Sequence, residues 1–200
     1  MGNSHRGFES HALRMGRLIY NVIASLDGYV DDSDGGFAWA MPDEDVHGYV
    51  NDLMRTVGTH LYGRRLYAVM AGWQTLGTSP DEPAIMRDFG DLWRGADKVV
   101  YSTTLDAVTT PRTTLERRFD PAAVRRSVAG DDRDTLVGGP GLATHALRAG
   151  LVDEIGVVVV PVVVGDGTPY LPPGLRLDLR LLDERRFDNG FVAMRYAVAS

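Results

Sequence analysis

Residues 134–167 read DTLVGGPGLATHALRAGLVDEIGVVVVPVVVGDG. A short apolar run, Thr135 to Val137, meets the cluster Gly138-Gly139-Pro140-Gly141. A helix-like segment from Leu142 to Ala149 follows, and then the β-branched run Ile155 to Val164. Glycines between a strand and a helix let backbone N–H groups face a ligand, and the helix N-terminus adds positive potential, so the stretch suits a phosphate. Gly139, Gly141 and Thr144 approximate the dinucleotide G-x-G-x-x-G pattern, although Pro140 removes one donor. The other reading is a tight strand-to-helix turn with no ligand.

Outward from this stretch the same alternation recurs. Arg17 to Ala24 is rich in β-branched and aromatic residues and is predicted to be a buried first strand. Ser25 to Ala38 carries Asp-Gly and Gly-Gly and reads as a turn-rich loop. Val46, Val50, Leu53, Met54 and Val57 recur at helical spacing, with the acids Asp43 to Asp45 available as a cap. A strand at His60 to Tyr62 precedes a helix at Leu66 to Ala71. Pro83 to Arg94 is the next helix, Lys98 to Ser102 a strand, Thr113 to Glu116 a short strand, and Pro121 to Ala129 a helix opening on proline. Asp153-Glu154 is expected to begin a strand at the surface. Leu179–Leu182 and Phe191–Val198 flank Asp188-Asn189-Gly190, and Asn-Gly is a strong hairpin signal. The pattern is α/β: a single domain, residues 15–200, whose mixed, mostly parallel central sheet is flanked by helices and ends in a C-terminal antiparallel hairpin. Residues 1–14 are polar, lack a signal-peptide core and read as a disordered leader or extension.

Bulk properties narrow the function. The 200 residues are 44% hydrophobic, enough for one well-buried domain. A formal net charge of −6 argues against nucleic acid, which needs clustered Lys and Arg. The chain has no cysteine, which removes disulfides and thiolate chemistry and fits a reducing cytoplasm. The longest apolar run, Val157 to Val164, is broken by Pro161 and too short to span a bilayer. His47, His60 and His145 lack ligand spacing, so no metal is expected.

Two further strand ends carry anion-binding chemistry. Leu61-Tyr62-Gly63-Arg64-Arg65-Leu66-Tyr67 places glycine and two guanidinium groups at a strand-to-helix turn. Arg suits bidentate phosphate contact, though paired arginines are also an ordinary solvated surface. Val99 to Thr104 ends in the hydroxyls of Ser102, Thr103 and Thr104. Because α/β sheets bind ligands at strand carboxyl ends, three such ends together are more persuasive than one.

The order of these pieces resembles the dihydrofolate reductase-like superfamily, including the reductase domain of the riboflavin-biosynthesis deaminase-reductase, over nearly the whole chain from Arg17. Ile23-Ala24-Ser25-Leu26-Asp27-Gly28, Leu151-Val152-Asp153-Glu154, Val160-Pro161 and Val164-Gly165 are similar to the riboflavin branch. Trp39-Ala40-Met41-Pro42 and Tyr62-Gly63-Arg64-Arg65 are closer to dihydrofolate reductase proper. The resemblance implies a dihydrofolate reductase-like fold and a cytoplasmic, homodimeric, NADPH-dependent reductase of a pterin or aminopyrimidine. A true ribosylaminopyrimidine reductase and a catalytically idle nucleotide-binding protein are the alternatives. It further implies that Gly63, Arg64, Arg65 and Leu66 hold the cofactor's pyrophosphate and 2′-phosphate, with Ser102 and Thr103 near the latter. Gly138, Gly139, Gly141 and Leu142 correspond to a second phosphate turn, and Ala24 to a backbone position at the nicotinamide. Trp39 and Pro42 correspond to the loop that closes over the substrate ring.

Counting on from Trp39, Glu44 falls at the superfamily's active-site carboxylate, with Asp43 and Asp45 as neighbours in register. A half-buried acid there assists protonation during hydride transfer to C=N, whereas three acids at a helix start also satisfy the helix dipole. Gly48 either leaves room for a flat ring or is an ordinary helix defect. Tyr29 stands where the riboflavin branch has lysine, and no arginine matches the group that binds a glutamate tail. An untailed heterocycle is therefore the expected substrate.

Overall fold

A computed structural model describes residues 15–199; the leader assigned to residues 1–14 lies outside them. One eight-stranded sheet runs in the order β4-β3-β2-β5-β1-β6-β8-β7. Its strands are β1 (Leu18–Ser25), β2 (Val57–Gly63), β3 (Asp97–Tyr101), β4 (Thr113–Glu116), β5 (Asp134–Gly138), β6 (Glu154–Val160), β7 (Leu179–Arg186) and β8 (Val192–Val198). β1 to β6 are mutually parallel, and β8 pairs antiparallel with both β6 and β7. The helices are α1 (Glu44–Met54), α2 (Arg64–Met70), α3 (Ala84–Gly95), α4 (Pro121–Ala129) and α5 (Pro140–Arg148). This is the single mixed α/β domain expected from the sequence.

Successive side chains leave a strand on opposite faces, and β1 supplies both cores in this way. Leu18 and Tyr20, with Leu61, Val137 and Ile155, pack against Val124 and Val128 of α4 and Leu142, Ala146 and Leu147 of α5. Ile19, with Leu136, packs against Met54 of α1 and Phe89 and Trp93 of α3. A strand buried on both faces reads as a continuous apolar run, which is why LIYNVIAS is legible as β1.

Element ends differ from the sequence reading where tertiary pairing takes over. Val57 fits the helical spacing of α1, yet α1 stops at Met54 and Val57 opens β2 opposite Asp134. β6 stops at Val160 rather than Val164, because Pro161 has no N–H to give the ladder. β7 continues past its leucines through Asp183-Glu184-Arg185-Arg186. All eight of its residues are exposed, and it forms the sheet edge on which the homodimer expectation rests. The hairpin turn carries Gly190 at φ +89°, and Asn189 Oδ1 accepts from Phe191 N at 3.0 Å.

Glu154 begins β6 but lies inside, not at the surface as its neighbourhood suggests. Arg17 donates through Nη1 to Glu154 Oε2 and through Nη2 to Asp134 Oδ2, both at 2.8 Å. Arg195 Nε reaches Glu154 Oε1 at 2.7 Å. The Asp134 and Glu154 side chains are 0% and 3% exposed, so each needs its guanidinium partner. Burial alone raises a carboxyl pKa. At Asp134 the bonds from Arg17 and Thr56 outweigh it and hold the group below its ordinary value.

A depressed carboxylate pKa contributes stability above the unfolded value, near about pH 4, that is lost as pH falls through the folded value. Asp134→Asn is expected to cost about 3 kcal/mol, the low end for a broken buried pair because Arg17 is partly exposed. It should also flatten the loss of stability below about pH 4. Urea denaturation across pH checks both, and an unchanged acid profile would refute the role given to Asp134.

Candidate functional site

The carboxyl ends of β2, β3 and β5 open into one cavity of about 1150 Å³. β2 delivers Tyr62 and Gly63, followed by Arg64, Arg65 and Leu66 at the start of α2. β3 delivers Tyr101, Ser102 and Thr103, and β5 delivers Gly138 with Gly139 to Leu142 at the start of α5. All eleven expected cofactor contacts except Ala24 line this space. Ala24 is fully buried within β1, opposite Val159.

Glycines make the close approach possible. Gly139 caps α5 at φ +84°, a conformation that side chains with a Cβ rarely adopt. At Gly138 an added Cβ would stand 2.6 Å from Leu66 Cδ2 and 3.0 Å from the Tyr62 ring. That ring cannot easily yield, because Tyr62 is buried and its hydroxyl accepts from Trp93 Nε1 at 3.2 Å. Beside Gly141, by contrast, there is open space.

Arg117, Phe119 and His145 join the β3 end of the cavity, although sequence reading missed them. Phe119 stacks edge-on to Tyr101 at a centroid distance of 5.3 Å and lies 5.9 Å from His145. Arg117 Nη1 donates to the carbonyls of Ser102 at 3.2 Å and Leu105 at 2.6 Å, which fixes the guanidinium beside Ser102. Ser102 Oγ in turn accepts from Thr104 N and Leu105 N. Arg117 lies in no glycine motif, and its only sequence signal is the pair Arg117-Arg118 just after β4.

The other end of the cavity lies between the sheet and the α1–α3 layer. Asn21, Ile23 and His60 form its floor, Tyr49, Val50, Leu53 and Phe89 its roof, and Arg195 stands at one side. Burial, followed by the neighbouring Lys98 charge, pushes His60 down to about 3, so its imidazole is neutral at physiological pH. The loop after β1 contributes Val30, Asp31, Gly35 and Phe37. That loop is tied across to residues 164–168: Asp27 accepts from Val164 N and Gly165 N, and Asp31 from Thr168 N and Oγ1.

Several expected site residues stand elsewhere. Asp43, Glu44 and Asp45 are exposed and do not line the cavity. Asp43 Oδ1 accepts from Val46 N at 3.0 Å and its Oδ2 from Asn189 Nδ2 at 2.7 Å. Of the two readings of these acids, the geometry therefore favours the helix cap. Trp39 packs against the core formed by Val46, Tyr49 and Phe187, so Phe37 rather than Trp39 or Pro42 is the loop residue that reaches the cavity. Gly48 faces α3, where an added Cβ would meet only Ile85 at an ordinary 3.6 Å. A side chain of one carbon would fit there, and Gly48 does not line the cavity, so of its two readings the ordinary helix defect is the one the geometry favours.

Gly138→Ala is expected to lower stability by about 1–3 kcal/mol through overpacking against Tyr62 and Leu66. Gly141→Ala, facing open space near a helix start, should be neutral or stabilising by up to about 1 kcal/mol. Parallel thermal melts decide this, and equal effects would contradict the packing described.

The chain matches the RibD C-terminal domain family over residues 17–193. It is 26% identical over 186 residues to the uncharacterized protein YyaP of Bacillus subtilis (strain 168), covering 92% of this chain and 96% of that protein. A putative riboflavin biosynthesis protein from Shewanella sp. PV-4 has the same fold, with a TM-score of 0.71 at 18% identity over 92% of this chain and 99% of that one. The diaminohydroxyphosphoribosylaminopyrimidine deaminase/5-amino-6-(5-phosphoribosylamino)uracil reductase of Thermotoga maritima superposes with a TM-score of 0.62 at 13% identity, over 92% of this chain and 57% of that one. The strand order, the three glycine-bearing or hydroxyl-bearing strand ends and this match over most of the sequence agree: the chain belongs to the RibD C-terminal domain family, whose reductases have a dihydrofolate reductase-like fold.

Proposed function

We propose that this protein is an NADPH-dependent reductase of an untailed pterin or aminopyrimidine. The observation that carries this reading is the convergence of three strand ends, with Arg64, Arg65 and Arg117, on a single cavity. At about 1150 Å³ the cavity exceeds the roughly 300–1,000 Å³ of an ordinary small-ligand pocket, and so has room for a dinucleotide and a ring together.

The residues present fit the cofactor. Backbone N–H groups of Gly139, Gly141 and Leu142 would hold its pyrophosphate, aided by the positive end of α5. Arg64, Ser102 and Thr103 would hold the 2′-phosphate, beside an Arg117 already fixed by carbonyl oxygens. Tyr101 and Phe119 offer apolar faces to an adenine. When bound, the cofactor supplies hydride, and the protein supplies orientation and water exclusion. The α1–α3 roof and the Phe37 loop enclose the ring end.

Charge at the ring end favours an untailed substrate. On the β6–β8 side of the ring end, Arg195 is the one cation among the described residues that line the cavity, and it is paired with Glu154. A phosphate or glutamate tail directed to that side would find no unengaged cation. A second reading, reduction of a ribosylaminopyrimidine phosphate in riboflavin biosynthesis, is favoured by family membership and by the Thermotoga relative's name.

NADPH oxidation is to be measured with an untailed dihydropterin, dihydrofolate and the ribosylaminopyrimidine phosphate. The untailed ring is expected to be the best substrate. Efficient turnover of the ribosylaminopyrimidine phosphate would establish the second reading instead, and cofactor binding without any turnover would indicate an idle nucleotide-binding protein. Arg64→Ala is expected to weaken NADPH by about 1.5–3 kcal/mol and leave NADH nearly unchanged. Calorimetric titration of both cofactors checks this, and equal losses would remove Arg64 from the 2′-phosphate.

A further inference from the structure

Reduction of a C=N bond by hydride leaves an electron pair on nitrogen that must take a proton. The acids at the start of α1, Asp43, Glu44 and Asp45, do not line the cavity. Among the described residues that do, the one carboxylate is Asp31. Both of its oxygens accept hydrogen bonds from Thr168, which leaves it an acceptor and not a donor.

Between the sheet and α1, the side chains with a hydrogen to give are Asn21, Tyr49, His60 and Arg195. An amide and a guanidinium do not release a proton at ordinary pH. His60, kept neutral by burial and by the Lys98 charge, is a weaker acid than a phenol. Tyr49 remains.

Its hydroxyl is also distinctive. Four tyrosines belong to the buried core among the described residues, Tyr20, Tyr49, Tyr62 and Tyr67. Tyr20 donates to Tyr170 O at 2.8 Å, Tyr62 accepts from Trp93 Nε1 at 3.2 Å and Tyr67 accepts from Thr109 N at 2.9 Å. The Tyr49 hydroxyl bonds to no described residue, yet protein does not seal it as it seals Asn21 Oδ1 and His60 Nδ1. The space it meets is the cavity that Tyr49 lines. The ring is held in place, edge-on to Phe187 at a centroid distance of 5.6 Å and with the Arg185 guanidinium 5.8 Å from its centre.

Resting on the reductase reading above, we propose that Tyr49 is the catalytic proton donor, giving its phenolic proton to the substrate nitrogen as the adjoining carbon is reduced. With hydride supplied by NADPH, which leaves as NADP+, the phenolic O–H bond breaks and an N–H bond forms from the former π pair of C=N. The transfer runs downhill, because a nitrogen that has just received an electron pair is a far stronger base than phenolate. Tyr49 then recovers its proton from water. Burial pushes the phenol up from its ordinary value, and Arg195 works against that shift. Arg195 of β8 and Arg185 of β7 face Tyr49 together with Asp183 of β7 and Glu154 of β6, so these four charges sum to zero and leave no net negative charge to oppose the transient phenolate.

The test joins turnover to binding. With dihydropterin and NADPH, Tyr49→Phe is expected to lower kcat by about 100-fold or more, to leave NADPH affinity unchanged and to change KM by less than about ten-fold. Fluorescence titration without cofactor compares pterin with 5-deazapterin, in which C–H replaces the acceptor nitrogen. The wild-type protein should bind pterin about two- to ten-fold more tightly, and Tyr49→Phe should bind the two alike. Equal binding of the two rings by the wild type, which requires no variant to fold, would overturn the proposal. So would the absence of pterin binding, an undiminished kcat in Tyr49→Phe, or a loss confined to KM. An undiminished kcat leaves the reductase reading intact and removes Tyr49 alone. If the wild type oxidises no NADPH with dihydropterin, dihydrofolate or the ribosylaminopyrimidine phosphate, the reductase reading itself fails and the proton transfer falls with it.

Discussion

Arg17 holds two buried carboxylates, Asp134 at the start of β5 and Glu154 at the start of β6, and so joins the amino ends of three neighbouring parallel strands. Arg195 extends the chain of charges to β8. A parallel sheet has no hairpins to set its register, so a fixed point at one end of the strands determines where their other ends fall. With β1, β5 and β6 held at their starts, the carboxyl end of β5 and the adjoining end of β2 come to one rim. The apolar cores on the two faces supply the main stabilisation, while the buried charges specify alignment.

That alignment gives each glycine its purpose. Gly138 is where β5 passes so close to Tyr62 and Leu66 that a Cβ does not fit. Gly139 supplies the positive φ that turns the chain into α5. Gly156 leaves the space in which the Asn21 amide lies. The first two sit in an evident motif. Gly156 is hidden in the β-branched run 155–164, where a glycine in a strand signals only that something approaches closely.

Most of the fold was legible because its signals are local. Buried parallel strands read as β-branched runs, and Asn189-Gly190 announces the last hairpin. Where the reading strayed, pairing overrode a local pattern, as at Val57, or a charge was satisfied from far away in the chain. Glu154 has nothing beside it in sequence to explain its burial, and its partners Arg17 and Arg195 are 137 and 41 residues distant. The candidate site divides in the same way. The end proposed to hold phosphate is built around strand-to-helix turns and was visible. The end proposed for the ring is assembled from scattered residues of β1, β2, β8, α1 and α3, with no shared motif. Counting along the chain to an acid led to Asp43, Glu44 and Asp45, whose geometry is that of a helix start.

A structure of the protein crystallised with NADPH tests the central claim most directly. The account predicts the pyrophosphate against Gly139 to Leu142 and the 2′-phosphate within reach of Arg64 and Ser102. The floor around Asn21 and the roof at Tyr49 should then remain open for a second ligand. A dinucleotide lying anywhere else, or one that fills the space over Asn21, would contradict it.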